Sequence, residues 1–298
     1  MIRIYDRKKG DYDTEVVVGG KYIEWLYGTM SGKWVLEALV KRKMFSSLYG
    51  RLMDLPASKK MIPSFIKDNS LDINGSVKDL KDFESFNDFF TRSLLPESRP
   101  IPNDSSALMS PVDGRLLAYE NIDIDNLVQV KGMTYTLGGL IGNGNIKDRY
   151  IHGTMLVFRL CPLDYHRFHF VDSGICSKPR LIRGGYYSVN PVSLARIPNV
   201  YLENKRMYSL MRSDNFSDIL IIEVGATNVG SIVQTYTPSR RFERGAEKGY
   251  FKFGGSTVLL FFKNGAVKID QDILDETAKG IESKVLMGET IGRRARQD

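Results

Sequence analysis

The sequence predicts an α+β fold: a β-rich body of antiparallel or mixed sheets, preceded by an N-terminal amphipathic helical region. Three observations predict it. Between Lys21 and Lys60, Tyr22, Ile23, Leu26, Met30, Trp34, Val35, Leu39, Phe45, Leu48, Tyr49 and Leu52 recur at three- and four-residue steps, the helical period. Beyond about Ala107 that period gives way to short β-branched and aromatic runs bounded by Gly, Pro and Asp turns. Within this part, Gly249–Phe262 places two such runs, YFKF and TVLLFF, on either side of a Gly254-Gly255-Ser256 corner.

The chain has 298 residues with a formal net charge of +7, enough for one large domain or a domain with an appendage. The charge favours anionic partners, and nucleic acid and anionic lipid both qualify. Cys161 and Cys176 are the two cysteines, expected as reduced thiols. No run approaches the roughly 20 apolar residues of a membrane span, and MIRIYDRKKGDYDTE is too polar for a secretory signal. Any work on a membrane is expected from its surface.

Residues 1–20 read as an irregular or short-strand lead. Gly28, Ser31 and Gly32 are expected to split the helical region that follows. Its eight Lys or Arg against Glu24, Glu37 and Asp54 leave Lys21–Lys60 at +5, and apolar faces flanked by lysines suit a helix in a lipid interface. The alternative is a helix packed on the protein's own core. Ser85–Arg92 reads as a short helix, and Leu95–Pro102 as a proline-punctuated connector, so the division is placed between 1–95 and 96–298. Strands are expected at Ala107–Tyr119 around an Asp113-Gly114 turn, and at Leu127–Val130, Met155–Leu160, Ile219–Val224 and Ser231–Tyr236. Gly138–Gly144 reads as a helix end with turns; it lacks the spacing of a nucleotide loop. The tail Gly292–Asp298 is expected to fray.

Few residues can carry chemistry. Ser256 follows Gly255, whose carbonyl has no side chain to shield it. A serine needs a base, and the base needs an orienting group. His166 and His169, at i and i+3 in Asp164-Tyr165-His166-Arg167-Phe168-His169, share a face on a helix and oppose each other on a strand. A metal site lacks a third ligand at a recognisable spacing. Asp113 is a turn-former or an orienting carboxylate. His152 is read as an ordinary histidine, and Glu247 and Lys248 as solvated hairpin charges.

Taken in order, Ser110-Pro111-Val112-Asp113-Gly114, Asp164-Tyr165-His166-Arg167-Phe168-His169 and Gly255-Ser256-Thr257 resemble the phosphatidylserine decarboxylases, a self-cleaving, pyruvoyl-dependent family. The likeness runs from about Phe86 to Phe262, with Gln129-Val130-Lys131-Gly132 and Ser188-Val189-Asn190-Pro191 as further matches. Gly254 stands where the family has leucine, which should loosen the corner. The resemblance implies a triad of Asp113, His169 and Ser256, with His166 nearer the substrate. Ser256 would attack the Gly255 carbonyl and, by way of an ester and dehydroalanine, leave a pyruvoyl cofactor at position 256. Residues 1–255 and 256–298 would then be two associated chains. The pyruvoyl ketone would form a Schiff base with the substrate amine and act as an electron sink, as pyridoxal phosphate does elsewhere. Phosphatidylserine is the implied substrate and phosphatidylethanolamine the product, made peripherally at the cytoplasmic membrane on an anionic surface. No metal and no nucleic-acid partner are expected, and a homo-oligomer is allowed. The competing readings are a pyruvoyl decarboxylase of a soluble amino acid, an uncleaved serine hydrolase, and a non-enzymatic β-rich module that binds membrane or nucleic acid.

Overall fold

A computed structural model of the chain describes residues 2–15, 25–26, 28–35, 50–130, 133–142, 145–226 and 232–295. Much of Lys21–Lys60, including Lys41 and Lys43, lies outside them, as do Lys131-Gly132, Asn143-Gly144, Thr227-Asn228, Ser231 and residues 296–298.

The strands in chain order are β1 (Ile2–Asp6), β2 (Asp11–Glu15), β3 (Ala107–Met109), β4 (Gly114–Tyr119), β5 (Leu127–Val130), β6 (Met133–Tyr135), β7 (Thr154–Leu160), β8 (Arg167–His169), β9 (Gly174–Cys176) and β10 (Arg180–Ile182). They continue as β11 (Arg206–Ser213), β12 (Asp218–Gly225), β13 (Ile232–Gln234), β14 (Arg241–Phe242), β15 (Glu247–Phe251), β16 (Ser256–Phe262), β17 (Val267–Ile269), β18 (Glu282–Val285) and β19 (Thr290–Arg294). One large mixed sheet runs β14-β9-β11-β12-β16-β7-β4-β18-β1-β2, with β10 also on β11. β13-β15-β8 and β17-β19-β3 form smaller sheets, and β5 pairs with β6.

The centre of the large sheet is β16. Every residue of STVLLFF is buried, the apolar run Val258–Phe262 carrying the polar Ser256 and Thr257 inside with it. Alternation sends Val258, Leu260 and Phe262 into one core cluster and Leu259 and Phe261 into another on the opposite face. Both faces of the strand are therefore covered, and Ser256 lies at its first position.

The helices of the expected N-terminal region are α1 (Met30–Val35), α2 (Ile62–Asn69) and α3 (Phe86–Phe90). Of the breaks expected at Gly28, Ser31 and Gly32, the described residues show one beside Gly28, at Thr29, whose Oγ1 accepts from the Gly32 amide at 3.0 Å. Gly32 sits inside α1 because a Cβ there would meet the Trp25 carbonyl at 2.1 Å. Ser85 caps α3 by accepting from the Asp88 amide at 3.1 Å, and Phe86, Phe89 and Phe90 gather with Phe83 and Ile62 in a third core cluster. The region 1–95 opens with the strands β1 and β2, where a short-strand lead was expected. β1 pairs in parallel with β18, so the chain start completes the edge of the large sheet. Among the described residues, no helix is long and apolar enough to cross a membrane.

Two further expectations are corrected. Gly292–Arg294 does not fray, because β19 is held between β17 and β3. Lys248 is not a solvated hairpin charge but is 1% exposed, with its ammonium 2.6 Å from buried Glu223 and 2.8 Å from Gln234.

Candidate active site

The Gly-Gly-Ser corner is a crossover between sheets rather than a hairpin. β15 ends at Phe251 in the small sheet and β16 starts at Ser256 in the large one. Gly254 carries the unusual conformation, with φ of 138°, where L side chains are rarely found. A Cβ on Gly255 would meet only Val189 at 3.5 Å and the Leu160 carbonyl at 3.9 Å, both ordinary contacts. The departure from leucine at 254 thus supplies the turn itself. α3 clamps the corner from one side: Asn87 Oδ1 accepts from the Phe253 amide at 2.9 Å, and the Phe253 ring packs edge-on to Phe86 and Phe90. The wall holding Val189 is tied down by neighbouring motif residues. Asn190 caps α5 (Pro191–Leu194), and buried Gln129 bonds to the Leu194 and Ile197 carbonyls and the Val200 amide. The short helix α4 (Leu137–Ile141) precedes α5 in the chain.

Ser256 is fully buried, paired through its backbone with Leu160 on β7 and Gly225 on β12. Among the described residues its hydroxyl has no hydrogen-bond partner. An unsatisfied buried hydroxyl costs about 1–3 kcal/mol, so its placement calls for a reason. On the same sheet face, the buried Glu223–Lys248 pair stands one step along β12, since Glu223 is opposite Val258.

His166 and His169 do not share an element. His166 lies in the bend before β8, and His169 ends that strand. Asp164 sets the bend by accepting from the Cys161 amide at 2.7 Å while Arg115 holds its carboxylate at 2.9 Å. His166 is fully buried and stacks on Phe90 at 4.0 Å between centroids. Its Nε2 donates to the Cys161 carbonyl at 2.9 Å, so the neutral ring keeps a lone pair on Nδ1, which is buried without a partner. Burial lowers its pKa to about 4, so it is neutral at pH 7. His169 donates from Nδ1 to the Gly245 carbonyl at 2.8 Å, and its Nε2 accepts from the Tyr165 hydroxyl at 3.1 Å. Burial also pushes its pKa down.

Asp113 is buried, its carboxylate forked by Arg99 and accepting from the Met287 amide at 2.8 Å. Its loop reaches β8 through the Pro111 carbonyl, which accepts from the His169 amide at 2.9 Å. Asp113 is close enough for its charge to act on His169, but the two are not hydrogen-bonded, nor is either histidine bonded to Ser256. Asp113 and His169 thus lie within reach of each other's charge, and His166 bonds to Cys161, the neighbour of Ser256's strand partner Leu160, with no unbroken relay among the four. His152 lies apart, its ring 2.9 Å from Asn121. Arg99, Tyr165 and Phe90, which hold Asp113, His169 and His166, were not singled out from sequence; Tyr165 sits inside the quoted motif and was the one within reach.

The residues present fit a serine-derived group at position 256: a buried hydroxyl with no partner among the described residues, next to a glycine carbonyl that no side chain shields, suits acyl transfer from nitrogen to oxygen. The profile of one family, phosphatidylserine decarboxylase, matches residues 86–293. A phosphatidylserine decarboxylase proenzyme of Clostridium botulinum (strain Alaska E43 / Type E3) is 53% identical over 294 residues, covering 99% of each chain. One of Clostridium perfringens (strain SM101 / Type A) is 54% identical over 294 residues, 99% of this chain and 100% of that one.

Proposed function

The chain belongs to the phosphatidylserine decarboxylase family, and on that premise we propose how its residues perform the reaction. It is a decarboxylase of phospholipid biosynthesis, made as a proenzyme, that converts phosphatidylserine to phosphatidylethanolamine. The observation that carries the site assignment is the buried, unpartnered Ser256 hydroxyl one peptide bond from Gly255.

Self-cleavage comes first. Ser256 Oγ attacks the Gly255 carbonyl carbon, the peptide C–N bond breaks, and the hydroxyl proton passes through the base to the freed amine. Eliminating the Gly255 carboxylate leaves dehydroalanine, and water then releases ammonia and leaves a ketone at position 256. His169 is the assigned base. Its Nε2 holds the lone pair, because Nδ1 keeps its proton on Gly245. Exchange of the Tyr165 hydroxyl for Ser256 Oγ completes the transfer. Asp113 stabilises the imidazolium through its field and is itself kept in place by Arg99.

The pyruvoyl group supplies a carbonyl that accepts the electrons left when carbon dioxide departs. His166 manages the proton. Protonated from solvent, it gives that proton to the α-carbon after decarboxylation. A buried imidazolium is a strong acid, which favours that step. A second reading gives His166 the first role as well, since its Nδ1 and Ser256 Oγ are both buried and unpartnered and Leu160-Cys161 links their surroundings.

Docking at the cytoplasmic membrane surface is assigned to Lys21–Lys60 and chemistry to 96–298, with the β1–β2 hairpin joined to the latter. Supporting this, Met30 and Trp34 are 78% and 72% exposed on α1, and Trp25 is 39% exposed. Apolar side chains beside lysines suit an anionic interface. Denaturing mass spectrometry tests the processing: wild type should yield residues 256–298 with a blocked N-terminus, and Ser256→Ala should stay whole. An active, intact wild-type chain would refute it.

A further inference from the structure

The charges around the site pair off with one exception. Among the described residues, Arg99 holds Asp113, Arg115 holds Asp164 at 2.9 Å, and Arg167 holds Glu247 at 2.5 Å. Arg92, two positions past Phe90, has no such partner, yet it is 7% exposed. Its Nε is buried with no hydrogen bond. Its Nη1 makes one long contact, 3.5 Å to the Phe89 carbonyl, and the guanidinium lies 5.2 Å from the Phe89 ring centroid. A guanidinium carries five donors and stays charged, so it cannot escape burial by losing its proton as a histidine does. Leaving it unpaired is costly unless a partner arrives from outside the chain.

The position says where that partner comes from. Phe90, the last residue of α3 and two positions before Arg92, stacks on His166. Arg92 is close enough for its charge to act on His166, and for Asp113, Asp164 and Tyr165 to act on it. Arg92 thus brings one positive charge that no described carboxylate pairs with, which suits a singly charged anion.

We propose that Arg92 receives the phosphodiester of the substrate headgroup. The proposal rests on the decarboxylase reading above and adds the residue that selects a phosphorylated serine over a free one. The substrate carries two anions, and chemistry separates them. The carboxylate must leave as neutral carbon dioxide, so a cation gripping it would stabilise the ground state more than the transition state. The phosphodiester keeps its charge throughout and sits three bonds from the α-carbon, by way of Cβ and oxygen. A permanent cation there binds ground and transition states alike. Its loss therefore appears in KM rather than kcat.

The test uses self-cleaved enzyme with phosphatidylserine in detergent mixed micelles and carbon dioxide release as the readout. sn-Glycero-3-phosphoethanolamine, which has the phosphodiester and no carboxylate, serves as competitor, and L-serine, which has no phosphate, as the contrasting probe. Arg92→Gln should still cleave at Ser256, raise KM by about tenfold or more, and leave kcat within about threefold, the scale of a lost charge-assisted hydrogen bond. Inhibition by glycerophosphoethanolamine should weaken by a similar factor, and any effect of serine should be unchanged. Arg92→Lys keeps the charge but not the planar fork, and should raise KM by a smaller factor; it carries the comparison if Arg92→Gln fails to process. Unchanged KM and unchanged glycerophosphoethanolamine inhibition would overturn the proposal. So would a fall in kcat at constant KM, which would place Arg92 in the proton chemistry. Absence of carbon dioxide release from wild type would instead refute the decarboxylase reading itself.

Discussion

His166 should make the unprocessed chain sensitive to mild acid, by an amount that follows from its surroundings. In the folded protein its pKa is lowered from 6.5 to about 4, because burial disfavours the imidazolium. The nearby Arg92 charge acts in the same direction; the Asp164 charge and the Cys161 carbonyl act against it. A folded-state pKa below the unfolded one means that the unfolded chain binds the proton more readily between these values. Stability is therefore full above about pH 6.5 and is lost as pH falls towards 4. The interval of about 2.5 pH units, at about 1.36 kcal/mol each, amounts to roughly 3 kcal/mol. The assay is urea unfolding at several pH values in a Ser256→Ala background, which keeps the chain whole. The comparison is Ser256→Ala with His166→Gln, whose amide can donate to Cys161 but cannot take up a proton. All other titrating groups are common to both chains and cancel in the difference. Between pH 7 and pH 4 the chain with His166 should lose about 3 kcal/mol more than its partner variant. Parallel curves would refute the claim that this ring is held neutral by burial, and with it the argument that His166 gives up a proton readily.

The remaining predictions concern processing, the corner and the membrane. His169→Ala should block cleavage, whereas His166→Ala should cleave at least partly yet release no carbon dioxide; electrophoresis and a gas-release assay read both, and the reverse pattern would exchange the two roles. Gly254→Ala should destabilise by about 1–3 kcal/mol, because φ of 138° excludes a side chain, while Gly255→Ala finds room against Val189; thermal melts of the two in the Ser256→Ala background should differ accordingly. Phe90→Ala should cost about 3–5 kcal/mol and loosen His166, since the buried ring packs on both His166 and Phe253; unfolding and decarboxylation assays should fall together. Trp34→Ala combined with Lys41→Glu and Lys43→Glu should lower sedimentation with anionic liposomes, most of all at low salt, while cleavage at Ser256 continues; unchanged sedimentation would assign docking to another surface.

The sequence by itself determined what is written in short runs of residues. The β-rich remainder, the Asp113 turn and the Gly255-Ser256 corner rest on local steric and hydrophobic preferences that neighbours in sequence share, while most of the helical period before Lys60 lies outside the described residues. TVLLFF was equally legible as a strand, but the burial of the polar Ser256 and Thr257 at its start was not. Only the tertiary structure decided who touches whom. YFKF and TVLLFF look like the arms of a hairpin, yet they enter different sheets, because their partners β8 and β13 on one side and β12 and β7 on the other are far away in sequence. Lys248 reads as a surface charge until Glu223 and Gln234 arrive from other strands to satisfy it. The i, i+3 spacing of His166 and His169 left their geometry open. It was settled by the Asp164–Arg115 bend and by Phe90, Tyr165 and Gly245. Arg92 and Arg99 are both arginines in the same N-terminal stretch. One is a carboxylate's partner and the other is left bare, and that difference follows from Asp113 being 14 positions away from Arg99 in sequence but within hydrogen-bond reach of it in space. Local preference fixes a backbone, but burial and pairing across long sequence separations decide which of its polar groups are spent on the fold and which remain for chemistry.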